Sequence, residues 1–288
     1  MLILIGQCLI QGLMMGSIFG FVTIGMVLIY RVTKLLNFSH GAWLMVAMYI
    51  SYVLFTKFRL EPYFSVLVAF PALMLLAALV YYVVMRPLGM KGHIIMMCQV
   101  SLGLLWILEN SALLIFKADY RSVQSVLSNS KFYVGPLIVK TPLFIAFLTV
   151  GTIAIVLGWV LYKTDFGLSV RALSQNEEAA KLMGISIGRV QLLVFAIGIG
   201  IMGIAGPLLV PWIVITPHAG AEFTFLGFVI LILAGLGNLI GALIGGLIIG
   251  IAESFGSTFM PGALASVPSY LIFILVLCLR PQGLFGAR

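Results

Sequence analysis

FTFLGFVILILAGLGNLIGALIGGLIIGIA, residues 223–252, carries no charged side chain over its whole length. Its reading decides how often the chain crosses a membrane. About 20 apolar residues are needed to cross ~30 Å of hydrocarbon, so this run holds one tilted helix or two short ones meeting at Gly237-Asn238. Its centre is rich in glycine, at Gly235, Gly237, Gly241, Gly245 and Gly246.

The remaining uncharged runs are 1–30, 35–56, 62–85, 92–108, 141–162, 190–221 and 254–279. The fourth continues past Glu109 to Phe116. The run 190–221 contains Pro207, Pro211 and Pro217, so its helix is expected to stop near Trp212. All are too long and too evenly apolar for the ~10-residue alternating strands of an outer-membrane barrel. With two helices in 223–252, nine spans result, and ten of the 16 Lys and Arg residues fall on one side. With one helix the basic residues split evenly. The tendency of Lys and Arg to stay inside therefore favours nine spans, with the N-terminus outside and the C-terminus in the cytoplasm. The outer segment 117–140 runs against that tendency through Lys117, Arg121, Lys131 and Lys140. Its Gly135-Pro136 and short Val/Leu/Tyr alternation predict a small hairpin.

Composition leads the same way. Of 288 residues, 62% are hydrophobic and 8% charged, with a mean hydropathy of +1.23, whereas soluble domains carry roughly 25% charged residues. Too few polar side chains exist to cover a water-soluble surface. The expected fold is an all-α polytopic transmembrane bundle of eight or nine spans, one transmembrane domain over 1–288. The net charge of +8 is spread in ones and twos between apolar runs and marks topology, not nucleic-acid binding. Cys8, Cys98 and Cys278 lie inside apolar runs without a CxxC pair, so neither a metal site nor a disulfide framework is expected. The N-terminus lacks a basic leader and a cleavage site and reads as the first span.

Several motifs carry no chemistry. Gly198-Ile-Gly-Ile-Met-Gly203 matches GxGxxG inside a span, where the strand and acidic residue of a dinucleotide site are missing. GxxxxGK[ST] and HExxH are absent. Asn37-Phe38-Ser39 spells a glycosylation acceptor on the inner side of the expected topology and is discounted. Gly12, Gly16 and Gly20, with Gly241/Gly245 and Gly246/Gly250, place small residues at i, i+4 spacing, which lets helices approach closely in lipid.

Residues 165–184, DFGLSVRALSQNEEAAKLMG, form the best helix outside the membrane. Val170, Leu173, Ala180 and Met183 make one apolar strip, Glu177 and Lys181 an i, i+4 pair, and Gly184 a C-cap. An amphipathic helix held between two spans suits a headgroup layer or a groove on a partner.

At this segment a family resemblance enters. Asn176-Glu-Glu-Ala-Ala-Lys-Leu-Met-Gly-Ile185 followed by Arg189-Val190 resembles the coupling segment of branched-chain amino acid permeases of bacterial ABC importers. Leu36-Asn-Phe-Ser-His-Gly41 is similar to their INFAHG signature, with Ser39 where Ala is usual. Ala234-Gly-Leu-Gly-Asn-Leu-Ile-Gly-Ala-Leu-Ile-Gly-Gly246 through Glu253 is similar to GGLGSIPGAVLGG…E. Arg280-Pro-Gln-Gly-Leu-Phe-Gly286 fits their ending. The matches are collinear from about residue 10 to 286. Length and the direct start at the first span resemble the LivH-like subunit more than the longer LivM-like one.

The resemblance implies an ABC importer permease architecture with a cytoplasmic coupling helix in the inner membrane. The implied partners are a second permease (a LivM-like homologue or a second copy), two cytoplasmic ATPases and a periplasmic substrate-binding protein. It implies no cofactor in this chain, with ATP and Mg held by the ATPases. Arg171, Glu177, Glu178, Ala179, Ala180 and Gly184 are then expected at the ATPase contact.

Translocation-pathway candidates are Phe19, Thr23, Phe38, Gln99 and Phe225, aromatic or neutral polar, together with the intramembrane carboxylates Glu109 and Glu253. Glu109 stands where the family often has a neutral amide. Asn37 and His40 flank the second span, either as a structural turn or as a broken helix aimed at the passage. His40 is not expected to bind metal, because His93 and His218 lie in distant loops. The cargo stays open between branched-chain or related amino acids and urea, short amides or aromatic acids. A stand-alone channel or ion-coupled carrier is the competing class.

Overall fold

The computed structural model describes residues 1–89 and 94–286. His93, Lys91 and Arg288, used above for metal exclusion and topology, lie outside the described residues. The described chain is an α-helical bundle with one short hairpin. In order it comprises α1 (Leu2–Thr33), α2 (His40–Phe58), α3 (Pro62–Val80, continued through a π-helical turn at Tyr81–Met85), α4 (Arg86–Gly89) and α5 (Ile94–Phe116). Then come β1 (Lys131–Val134), β2 (Leu137–Lys140), α6 (Thr141–Lys163), α7 (Asp165–Gln175), α8 (Glu177–Leu182) and α9 (Ile187–Leu209). The chain closes with α10 (Ala219–Ala234), α11 (Leu239–Phe259) and α12 (Val267–Leu279). Among the described residues seven helices are long and apolar enough to cross a membrane; α10 and α12 are apolar but shorter.

The run 223–252 is two helices, and the break falls at the expected place. Gly235 and Gly237 take φ +89° and +90°, conformations a side chain resists. The Asn238 carboxamide oxygen then accepts from Gly241 N–H at 2.9 Å, capping α11. The edges differ from the uncharged runs, however. Glu222 lies in the first turn of α10 and Glu253 inside α11, which continues to Phe259. A span from 254 to 279 therefore does not form; α12 begins only at Val267. Using charges as boundaries fails where a carboxylate is held by protein instead of facing lipid.

Helix α1 is the central mast, about 48 Å long at 1.5 Å per residue, and every residue from Gly16 to Ile29 is buried. It packs most extensively on α11, antiparallel, with Gly12 against Ile251, Gly16 against Gly246 and Leu247, and Gly20 against Ala242 and Leu243. The glycine stripes thus serve packing within the chain. They bring backbones so near that a methyl on Gly250 would lie 2.2 Å from the Gly16 Cα.

The expected hairpin exists at the Met1 end of the bundle. β1 and β2 pair antiparallel in the register Lys131↔Lys140 and Val134↔Leu137, with Gly135 at φ +60° as the first residue of its two-residue turn. The rest of the segment is anchored: Arg121 and Ile215 exchange backbone hydrogen bonds of 3.0 and 2.8 Å. Helices α7 and α8 lie at the opposite end, between α6 and α9.

Candidate functional site

Helix α2 does not start at the end of the bundle. After Thr33, Lys34 takes φ 56° and closes α1 with a bond to the Tyr30 carbonyl. The chain then turns back inward, so that the His40 ring nitrogen Nε2 meets the Val22 carbonyl at 3.0 Å. Val22 is 11 residues back from Thr33, or about 16 Å along the axis. Asn37 makes the turn: its Oδ1 accepts the Ser39 N–H at 3.1 Å and the Ser39 hydroxyl at 2.7 Å. The Phe38 N–H donates to Ser101 Oγ on α5 at 3.1 Å. Asn37 thus holds a fixed turn, and α2 starts inside the bundle at His40.

Helix α10 begins at the same depth. The Gly41 N–H donates to Thr224 Oγ1 at 2.9 Å, and a methyl on Gly220 would lie 2.3 Å from the Gly41 carbonyl. Phe223 meets Phe19 edge-on with centroids 6.1 Å apart, while Phe38 meets Phe228 at 5.0 Å. Two helix starts therefore face each other halfway along α1. Discontinuous helices of this kind, with amide ends at mid-depth, form binding sites in many transporters.

The polar groups around this crossing sort into two sets. Phe19, Thr23, Asn37 and His40 are buried, the last three at 0–3% exposure. Thr23 spends its hydroxyl on the Phe19 carbonyl. Asn37 Nδ2, His40 Nδ1 and Trp43 Nε1 are buried without partners at i, i+3, i+6 spacing. Each such atom leaves about 1–3 kcal/mol of desolvation unrecovered.

The second set lines the uncovered side of α5 and α10. Gln99, Phe225, Asn110 and Glu222 are exposed, with Phe38 and Glu109 half-buried. Glu109 pairs with His218 at 3.6 Å, and His218 is the residue that precedes α10. The two histidines given above as distant from His40 differ in fate: His218 is brought to the start of α10, and His93 lies outside the described residues. Among the described residues no group of three potential metal ligands occurs.

Glu222 escaped the sequence reading because it looked like a loop charge between two spans. Its position in the first turn of α10 puts it next to the positive end of the helix dipole, which stabilises a carboxylate. Facing lipid at this depth it would cost about 2.5–3.5 kcal/mol on insertion scales. The face that carries it is therefore turned to a partner or to water. Glu253, on α11, accepts from Ser266 Oγ at 3.3 Å, and its other oxygen is buried without a partner.

The segment 165–184 is two helices. Thr164 caps α7 through Gly167 N–H, and Asn176 caps α8 through Ala179 N–H at 3.0 Å. Gly184 takes φ +81°, and the Ile185 N–H reaches back to the Ala180 carbonyl at 3.1 Å, a glycine C-cap as expected. Val170, Leu173 and Ala180 are buried, but Met183 is not part of that strip: it is 83% exposed, beside Leu182 at 89%. The strip is interrupted at Asn176, whose extended backbone ends α7 and starts α8 as a separate helix. Glu177 and Lys181 form no ion pair; among the described residues the pairs are Arg121–Asp119 and Glu109–His218. Arg171 bonds the Leu161 carbonyl and lies over the Tyr162 ring at 5.9 Å. Of the six coupling residues, Glu177, Glu178, Ala179 and Gly184 are exposed, Ala180 is buried and Arg171 is engaged within the chain.

At the Met1 end, two adjoining cavities of about 400 and 320 Å³ share Gln11, Lys140 and Leu143. The second is also lined by Lys131, Asn129 and Ser130.

The family described as branched-chain amino acid transport system, permease component, matches residues 8–277. The chain is 26% identical to the high-affinity branched-chain amino acid transport system permease protein BraD of Pseudomonas aeruginosa, over 97% of this chain and 95% of that protein. It is equally similar, at the same coverage, to the permease protein LivH of Escherichia coli. It is 30% identical to the probable branched-chain amino acid transport permease LivH of Methanocaldococcus jannaschii, over 91% of this chain and 87% of that one. No solved structure matches.

Proposed function

The chain belongs to the branched-chain amino acid transport permease family, a multi-pass membrane subunit of an ABC importer, and from that premise we propose its cargo, orientation and partners. The cargo is a branched-chain or related amino acid, carried across the inner membrane. The N-terminus and the β1–β2 hairpin face the outside, while α7–α8 and the C-terminus face the cytoplasm. Residues 1–288 act as one permease domain.

The observation that carries this reading is the meeting of the α2 and α10 starts halfway along α1. A cargo path runs past them along the uncovered polar side of α5 and α10, closed on its far side by a second permease. Phe38, Gln99, Glu109 and Phe225 line it. Asn37 and His40 act from behind, their unpaired nitrogens giving the break a second arrangement to move to. Energy comes from two ATPases, one of them docked on Glu177, Glu178, Ala179, Leu182, Met183 and Gly184 of this chain. Apolar side chains exposed at the cytoplasmic end are what a protein groove covers. Arg171 braces this lever against α6. Lys131 and Lys140 at the outer cavities favour an acidic surface on a periplasmic binding protein.

Purification through a tag on this chain tests the proposal. A second permease and two ATPases should co-purify, and the amino-acid-loaded binding protein should stimulate ATP hydrolysis. Solute flux through the purified chain alone would instead support a channel or carrier and refute it.

A further inference from the structure

We propose that Ser101 and Thr224 are positioning residues for transport: their hydroxyls hang the start of α2 between α5 and α10 and hold the broken helices in register until the transport stroke parts them. This rests on the importer reading above and deepens it by assigning the joint that moves.

The start of α2 has no cap of its own. Ser39 is of the residue type that caps a helix well, yet it makes no cap bond, because its hydroxyl is turned to Asn37 Oδ1 at 2.7 Å. His218 makes none for α10 either. A first-turn amide left open away from water is costly, and at α2 another helix satisfies it. Gly41 is the second residue of α2, and its N–H donates to Thr224 Oγ1 at 2.9 Å. An N-cap side chain ordinarily accepts that bond; here it comes from 183 residues away. On the other side, the Phe38 N–H donates to Ser101 Oγ at 3.1 Å, across 63 residues.

The two hydroxyls are oriented in the same way. Thr224 donates to the Gly220 carbonyl at 3.0 Å and Ser101 to the Cys98 carbonyl at 2.8 Å, each within its own helix. With the proton committed there, each oxygen presents its lone pairs to α2. Thr23 and Thr152 make the same intrahelical bond and, among the described residues, no other. Ser101 and Thr224 are 2% and 6% exposed, so water has little access to replace either bond. Gly41 and Gly220 meet backbone to backbone, with no side chain to entangle them, which leaves the hydroxyl bonds as the specific ties. α5 and α10 carry the uncovered side along which the path runs. Two reversible bonds therefore set where the α2 start stands relative to both walls of that path.

The test uses the full importer in proteoliposomes, with Ser101→Ala, Thr224→Val, the double variant and Thr224→Ser. Leucine uptake and ATP hydrolysis are measured together, with and without the amino-acid-loaded binding protein. Each lost hydroxyl should lower the leucine carried per ATP about fivefold, the usual effect of one helix cap, and the double variant should fall further. Half-saturation by the binding protein, which docks at the outer end, should not change. Thr224→Ser keeps the acceptor and should couple as the wild type does. Ala42→Cys, in a chain with Cys8, Cys98 and Cys278 replaced, reads the joint itself. Ala42 is 1% exposed, so Thr224→Val should raise its labelling by a small maleimide about fivefold, and Thr224→Ser should not. Wild-type coupling in the double variant, labelling unmoved by Thr224→Val, or equal losses in Thr224→Ser and Thr224→Val overturn the positioning role alone. Should Thr224→Val fail to assemble, coupling lost in Ser101→Ala and kept in Thr224→Ser supports the role, and any other result overturns it. A wild-type complex whose ATP hydrolysis the loaded binding protein does not stimulate overturns the importer reading together with the role.

Discussion

Gly250 offers the sharpest test of how the central helices are held. A methyl there would lie 2.2 Å from the Gly16 Cα, 2.4 Å from the Gly16 nitrogen and 2.5 Å from the Gly12 carbonyl oxygen. All three are backbone atoms, so no side chain can swing aside, and ordinary carbon contacts begin near 3.5–4.0 Å. α1 and α11 must separate by more than 1 Å to admit it. Overpacking of this kind costs about 1–3 kcal/mol, and part of the longest helix contact in the molecule loosens with it. Gly245 is the internal control. Its methyl would come tightest to the Ile230 side chain, at 3.3 Å, which can give by a few tenths of an ångström; the Ile230 carbonyl at 3.6 Å and Leu233 at 3.7 Å are ordinary contacts. Replacing a helical glycine by alanine returns up to about 1 kcal/mol, so Gly245→Ala should be neutral or stabilising. Thermal unfolding of the two variants in the same detergent measures the difference. If Gly250→Ala unfolds at the wild-type temperature, or Gly245→Ala falls as far as Gly250→Ala, the steric argument is wrong.

Further expectations concern the lever and the broken helices. Glu178→Lys reverses charge at an exposed end of α8 and should uncouple ATP hydrolysis from uptake while the chain still inserts; unimpaired uptake removes Glu178 from the ATPase contact. Leu182→Ser deletes the most exposed apolar side chain of that end and should weaken ATPase co-purification about tenfold, from the ~1.5–3 kcal/mol that burying a leucine contributes. Gly41→Ala places a methyl against the Gly220 carbonyl and should prevent the α2 and α10 starts from meeting, seen as lost uptake and a lower unfolding temperature. Asn238→Ala removes both the α11 cap and the bond to the Phe285 carbonyl, costing about 1 kcal/mol by the same thermal assay.

These predictions draw unequally on sequence and structure. The break at Gly237-Asn238 was legible because glycines that permit positive φ mark their own positions. The glycine stripes of α1 and α11 were legible for a similar reason, although Gly245 turns to α10 and not to α1. The depth at which α2 begins was not legible. Residues 35–56 have the length of an ordinary span, and only the contact of His40 with Val22 shows that the helix starts inside the bundle. Glu222 was misplaced, and the end of α11 was set too early at residue 252, because charges were used as span boundaries, a rule that presumes every intramembrane surface meets lipid. In the 165–184 lever the cap signal of Asn176, followed by two acidic residues, was present in the sequence. It was overlooked because the apolar spacing carried on across it, and Met183 was misassigned with it.

The most direct test of the account asks which side of the membrane holds the α7–α8 lever and what covers it. With Cys8, Cys98 and Cys278 replaced by serine or alanine, a single cysteine is introduced as Leu182→Cys and treated with an impermeant thiol reagent. It should be labelled only in inverted vesicles stripped of ATPases, and protected once the ATPases are restored. Labelling from the outside of intact cells, or labelling unchanged by bound ATPases, would contradict it.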